Sequence, residues 1–283
     1  MLIEKRKLRS IALFFGAIGC LLAGCAHLEQ KETSDPPDLL MEGSEKKLAT
    51  LDPALSLPRS LFFSPDGRHA VWVNRAGEQV QVVVDGVAGP PFDSIGRGPV
   101  TLSPDGRRVA YVVENKTNQH LSVVVDGKAG PEYEKILSGT PLFSPDGRHV
   151  AYAAVREGKY YVILDAAVGP DYELVGHLTF SPDGGRFAYA AQKDKKRFIV
   201  ADGVPGAPFE DVFIAGFSPD GRHLVYYATE EKQRRVIIDD QPGPLFEAVG
   251  PVQFYPAAGK GASFLSYVGL RGSELIQLTQ PLR

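Results

Sequence analysis

Cysteine is almost missing from this chain of 283 residues: there are two, Cys20 and Cys25, both within the first 25 positions. The folded part can therefore contain no internal disulfide and must rely on its core, which a domain of this size can supply. Beyond the N-terminal segment no long block of basic residues occurs. Residues 1–24 hold Lys5, Arg6, Lys7 and Arg9 against Glu4 alone, so the remainder is more acidic than the formal −3 of the whole chain. A mildly acidic domain neutralises phosphates poorly, which argues against a nucleic-acid partner. No apolar run reaches the roughly 20 residues of a comfortable membrane span. What the chain does have is 30 Gly and 22 Pro, beside 43% hydrophobic residues. Many turns imply many short strands, and the balance is that of a globular protein.

The N-terminus reads as an export signal. A basic stretch, Glu4-Lys5-Arg6-Lys7-Leu8-Arg9, precedes an apolar run from Ile11 to Ala23. The run ends Leu22-Ala23-Gly24-Cys25. Order and length fit a secretory signal, not an anchor helix. The four-residue ending resembles the lipobox of bacterial lipoproteins. That resemblance implies cleavage after residue 24 and attachment of lipid to Cys25, and several acyl chains anchor firmly because each buried CH₂ adds about 0.8 kcal/mol. Residues 25–47 are polar and carry no helical or strand period, as in Lys31-Glu32-Thr33-Ser34-Asp35-Pro36-Pro37. They read as a flexible tether. Ala26, where an Asp tends to favour inner-membrane retention, points to the outer membrane facing the periplasm if the cell is Gram-negative.

Residues 48–283 are repetitive. Ser-Pro-Asp-Gly begins at Ser64, Ser103, Ser144, Ser181 and Ser218, at spacings of 39, 41, 37 and 37, and a degenerate copy follows at Tyr255-Pro256-Ala257-Ala258-Gly259. An apolar residue precedes each Ser: Phe63, Leu102, Phe143, Phe180 and Phe217. Eight residues after the Ser stands an aromatic, Trp72, Tyr111, Tyr152, Tyr189 or Tyr226, and Tyr267 fills that role in the last copy. Then come a Val/Ile run ending in Asp85, Asp126, Asp165, Asp202 or Asp239, and a second aromatic, Phe92, Tyr133, Tyr172, Phe209 or Phe246. Each unit reads as four short strands. The Pro-Asp-Gly turn joins the first two, and an Asp-Gly turn joins the third to the fourth. A sheet apolar on both faces must be covered on both, and stacking such sheets around an axis does this. The expected fold is all-β: a single β-propeller of six four-stranded blades. The last copy lacks a fourth strand, and Lys47-Leu48-Ala49-Thr50-Leu51 could supply it and close the ring.

The repeated Ser-Pro-Asp-Gly-Arg…Ala-Tyr pattern resembles the WD-like propeller repeats of the TolB type over about residues 57–270. In TolB that propeller binds partner proteins of the envelope, so the resemblance implies a protein-binding role. This chain lacks TolB's N-terminal α/β domain, so TolB's own partners do not carry over. Similar propellers accompany α/β-hydrolase domains in oligopeptidases, but no Gly-x-Ser-x-Gly elbow is present.

The turn aspartates Asp66, Asp105, Asp146, Asp183 and Asp220 read as turn residues rather than calcium ligands, because one residue per blade does not converge on one ion. His69, His149 and His223 share a slot with Arg108 and Arg186. Exchange of His for Arg indicates a polar surface role, and His120 and His177 have no partners at metal-ligand spacing. Glu230-Glu231 reads as a solvated hairpin tip. No catalytic, metal or cofactor constellation can be assembled. The loops after strands two and four diverge over a uniform scaffold and share one face, as a binding face should. Its candidate residues are Lys193, Lys195, Lys196 and Arg197, with Lys116, Arg156 and Lys159. The expectation is a monomeric, non-enzymatic envelope lipoprotein, membrane-bound through lipid on Cys25, whose propeller is a scaffold for an envelope protein or cell-wall component. The alternatives are a propeller binding a small molecule or glycan, and an enzyme with a site at the channel mouth.

Overall fold

In a computed structural model the described residues are 47–57, 60–96, 98, 100–256 and 263–282. The signal sequence, Cys25 and almost all of the proposed tether lie outside them. The described residues contain strands and turns but no helix, arranged as six antiparallel sheets in chain order.

The fourth sheet shows the plan: Leu174–Phe180, Phe187–Lys193, Lys196–Ala201 and Val204–Pro205 pair in sequence order. The first and fifth follow it, from Phe62–Phe63 to Val87–Phe92 and from Asp211–Phe217 to Gln241–Pro242. In the second, third and sixth sheets the first strand is broken into two pieces on one neighbour. Ser94–Ile95 and Thr101–Leu102 both pair with Val109–Glu114, for example. The Asp-Gly turns adopt the left-handed backbone that a two-residue hairpin requires, with φ of 49° and 88° at Asp85 and Gly86. Asp165-Ala166 and Asp239-Asp240 take the same shape without glycine.

Burial explains why these units exist only together. In Val150–Arg156 the side chains alternate between two cores. Ala151 and Ala153 pack with Val175, Phe187 and Tyr189 of the fourth sheet, while Tyr152 and Ala154 pack with Val112, Val123 and Tyr133 of the second. Five such cores join each sheet to the next. The two aromatics of the repeat meet across these joints. Phe92 and Tyr111, Tyr133 and Tyr152, Tyr172 and Tyr189, and Phe246 and Tyr267 contact edge to face at 6.0–6.4 Å. Such contacts contribute about 0.5–1.5 kcal/mol beyond area burial. The joint also needs a glycine: a Cβ on Gly243 would lie 2.9 Å from the Val236 carbonyl oxygen and 3.2 Å from the Tyr267 hydroxyl.

The two end sheets depart from this. Among the described residues none of the five cores joins the sixth sheet to the first. The sixth sheet's far face carries Ser266 opposite Thr279 and Val268 opposite Gln277, and Val268 is 42% exposed. Phe63, at the first sheet's start, is 67% exposed, whereas Phe217 in the same slot is 8% exposed. The sixth sheet ends with Glu274–Pro281 as its third strand, as expected. The proposed closing strand is corrected. Residues 47–51 form no strand, and Ala49 lies against Gly86 in a turn of the first sheet.

Candidate functional site

The sheets present two edges, and the repeat builds each differently. At the turn edge each Ser is buried and locks its turn. Ser103 Oγ donates to Asp105 at 2.6 Å and accepts the Arg108 amide at 3.0 Å, and Asp105 also accepts the Arg107 amide. The same bonds recur from Ser64, Ser144, Ser181 and Ser218. The hydroxyl bond holds each aspartate below the ordinary carboxylate value of 3.8. These aspartates thus serve their own turns, as expected. The slot histidines pair with the strand-ending aspartates: His69 with Asp85 at 2.6 Å, His149 with Asp165 and His223 with Asp239 at 2.5 Å. Arg108 and Arg186 make the equivalent pairs with Asp126 and Asp202 at 2.9 Å. They also reach the next sheet's turn, donating to the carbonyls of Arg148 and Arg222. The exchange of His for Arg is therefore a locking pair, extended to the neighbour where the longer side chain stands.

At the hairpin edge the candidate cations occupy corresponding tips of three successive sheets. Lys116 lies beyond Val109–Glu114, Arg156 and Lys159 flank the third sheet's tip, and Lys193, Lys195 and Lys196 form the fourth's. All six are exposed. Lys159 reaches Asp171 at 3.9 Å and Arg156 covers the ring of Tyr161. Arg197 differs from the other candidates in being tied to the fold. Its guanidinium donates to Asp211 of the fifth sheet at 2.6 Å and to Gln192 at 3.2 Å, so it is an inter-sheet tie. Nor are the candidates gathered into one cavity. Lys116 lines a cleft between the first and second sheets, and Arg197 one between the fourth and fifth.

One repeated residue escaped the sequence reading. The residue after the second aromatic is always acidic: Asp93, Glu134, Glu173, Glu210 and Glu247. Each accepts backbone amides of a hairpin tip, from Lys116, Glu157, Asp194 with Lys195, Glu231 and Gly272 respectively. Aligning the five copies shows the acid, but its role needs the fold. Each tip is thus held at a fixed place although its sequence differs.

The clefts around the fifth sheet hold the other unexpected side chain. Phe213 is 50% exposed and separates a cleft of about 370 Å³, lined by His177, Gln192, Arg197 and Asp211, from one of about 290 Å³, lined by Tyr227, Thr229 and Arg234. Among the described residues no group of three or more His, Cys, Asp and Glu side chains is placed to hold a metal ion.

No family model matches the chain, and no curated protein does. Its fold is that of β-propeller blades, and solved structures of that class resemble it. The β-propeller domain of the Trilobed protease from Pyrococcus furiosus is 13% identical, with 82% of this chain and 84% of that one covered and a TM-score of 0.40. A structure described as the eukaryotic initiation factor is 14% identical, covering 80% and 66%, at 0.46. TolB from Acinetobacter baumannii is 15% identical, covering 78% of this chain and 54% of that one, at 0.33. This chain spans about half the length of that TolB.

Proposed function

We propose that this chain is an envelope-anchored lipoprotein whose blades form a non-catalytic scaffold, presenting the hairpin edge to a protein or cell-wall partner. The anchor rests on the ordered basic stretch, apolar run and Leu22-Ala23-Gly24-Cys25. One observation carries the binding role: the hairpin tips of the second to sixth sheets differ in sequence, yet each is pinned by a carboxylate at the same place in the repeat. Pre-placed loops lower the ordering cost of binding. Most of the polar bonds at the turn edge serve the fold itself.

The test is affinity co-purification from mildly crosslinked envelopes, comparing the wild type with a variant in which Lys193, Lys195 and Lys196 are changed to Ser. Arg197 is left in place because it ties two sheets. A partner captured by the wild type and lost from the variant supports the scaffold and places its face. Equal capture moves the face away from the fourth sheet's tip, and no reproducible capture overturns the scaffold reading. In the same cells Cys25→Ser should abolish uptake of labelled fatty acid. Continued uptake would refute the anchor.

A further inference from the structure

Phe213 breaks the repeat in a place where the repeat leaves room. Counting from the second aromatic of each unit, the fourth position is Gly96, Leu137, Gly176, Phe213 and Gly250. Three of five units have glycine there. The sheets on either side of Phe213 carry Gly176 and Gly250, so a bulky ring in one sheet stands between two sheets that withhold a side chain at that level. The clefts on its two flanks are the consequence. A half-exposed phenylalanine contributes little to a core and costs solvation, so this ring is poorly explained by packing alone.

Its surroundings are ordered and polar. His177 meets the Phe213 ring edge-on at 4.6 Å between centroids, projected by a left-handed backbone (φ 54°) at an irregularity of its strand. Along the larger cleft runs a chain of planar polar groups. Gln192 donates to Glu173 at 3.1 Å, Arg197 donates to Gln192, and Arg197 donates to Asp211 at 2.6 Å. These bonds hold the side chains in place while leaving further guanidinium donors and carboxylate acceptors available. The ionic pair within the wall largely cancels its charge. Arg234 adds a donor fork at the rim of the smaller cleft, beside Thr229.

We propose that Phe213 and its two flanking clefts form a saccharide-binding site. A sugar ring has an apolar C–H face that suits the electron-rich face of an exposed aromatic ring, and hydroxyls that both donate and accept. The fixed wall of amide, guanidinium and carboxylate meets such hydroxyls without reorganising. Two short clefts on either side of one ring suit consecutive sugar units better than an extended chain. The larger cleft adjoins the lysine tip, since Gln192 and Arg197 flank Lys193 and Lys196 and Glu173 holds the tip, but Phe213 is no part of that tip, so Phe213→Gly and the lysine variant test the two readings separately.

The test is isothermal titration of the purified full-length chain with two probes, tetra-N-acetylchitotetraose and cellotetraose. His177 ring signals are followed by NMR. The wild type should bind at least one probe and shift the His177 signals. Phe213→Gly, which installs the residue found in both neighbouring sheets, should weaken binding by about tenfold or more. Phe213→Tyr keeps the ring and should stay within about threefold of the wild type. Binding of neither probe at millimolar concentration, or equal binding by the wild type and Phe213→Gly, overturns the proposal. A crosslinked protein partner lost on Phe213→Gly, without saccharide binding, assigns the clefts to that partner instead.

Discussion

The two edges of the same sheets are built from similar bonds toward different ends. At the turn edge both partners of each bond belong to the repeat: Ser with Asp, and His or Arg with Asp. At the hairpin edge only the acceptor belongs to it. Glu173 and Glu210 are constant in kind, but they bind backbone amides and are indifferent to the side chains of Asp194, Lys195 or Glu231. A bond to the main chain fixes a loop's position without restricting its sequence. The first edge is therefore closed to variation and the second is open to it.

The comparison can be broken at three points, and the largest effect should come from the joint that both edges share. Tyr152→Ala removes a buried ring and its edge contact with Tyr133, and should cost about 3–5 kcal/mol by denaturant titration. A loss below 1 kcal/mol would mean that the aromatic pairs are incidental to the stacking. At the turn edge, two glycines with nearly equal backbones separate strain from crowding. Gly67 (φ 70°) has open space where a Cβ would go, whereas a Cβ on Gly106 (φ 69°) would overlap the His69 ring and lie 2.9 Å from Ser64 Cβ. Gly67→Ala should cost about 1 kcal/mol and Gly106→Ala at least about 1 kcal/mol more. Equal costs would show that the turns do not interlock.

The smallest effect is the pH dependence. Asp66, Asp105, Asp146, Asp183 and Asp220 all titrate below 3.8, chiefly through the serine hydroxyl bond. Because the folded value is depressed, their stabilisation is complete above the unfolded value and is lost as pH falls through the folded one. At the hairpin edge Glu132 is lowered by Asn115 and Asn118, and Glu173 by Gln192. Melting temperature should be level near neutrality and fall below pH 4, with Ser144→Ala flattening the fall and the lysine-tip variant leaving it unchanged. A melting temperature insensitive to acid would refute this reading of the serine–aspartate bonds.

The sheets and their order were legible because Ser-Pro-Asp-Gly and the two aromatics encode local turns and a local pattern of burial. The tie made by Arg197 was not legible, for the opposite reason. Its partner Asp211 is 14 residues away in another sheet, and only the register of two neighbouring strands brings them together. The closing strand failed because an apolar stretch such as Leu48-Ala49-Thr50-Leu51 does not specify which sheet it covers. Phe213 was available in principle, since the glycines at the same position of three other units mark it as the exception.

Six sheets with five shared cores have a consequence for how the array comes apart. Among the described residues each inner sheet shares a core with both of its neighbours and each end sheet with one. Stability is then a sum over neighbour contacts, and opening starts at the outermost members while the middle holds. Phe213, on the fifth sheet, sits one place in from the end that carries the polar cap of Ser266, Gln277 and Thr279. Its two clefts therefore depend unequally on that end. Loosening of the sixth sheet would dismantle the smaller cleft, which includes Val249, and leave intact the larger one between the fourth and fifth sheets.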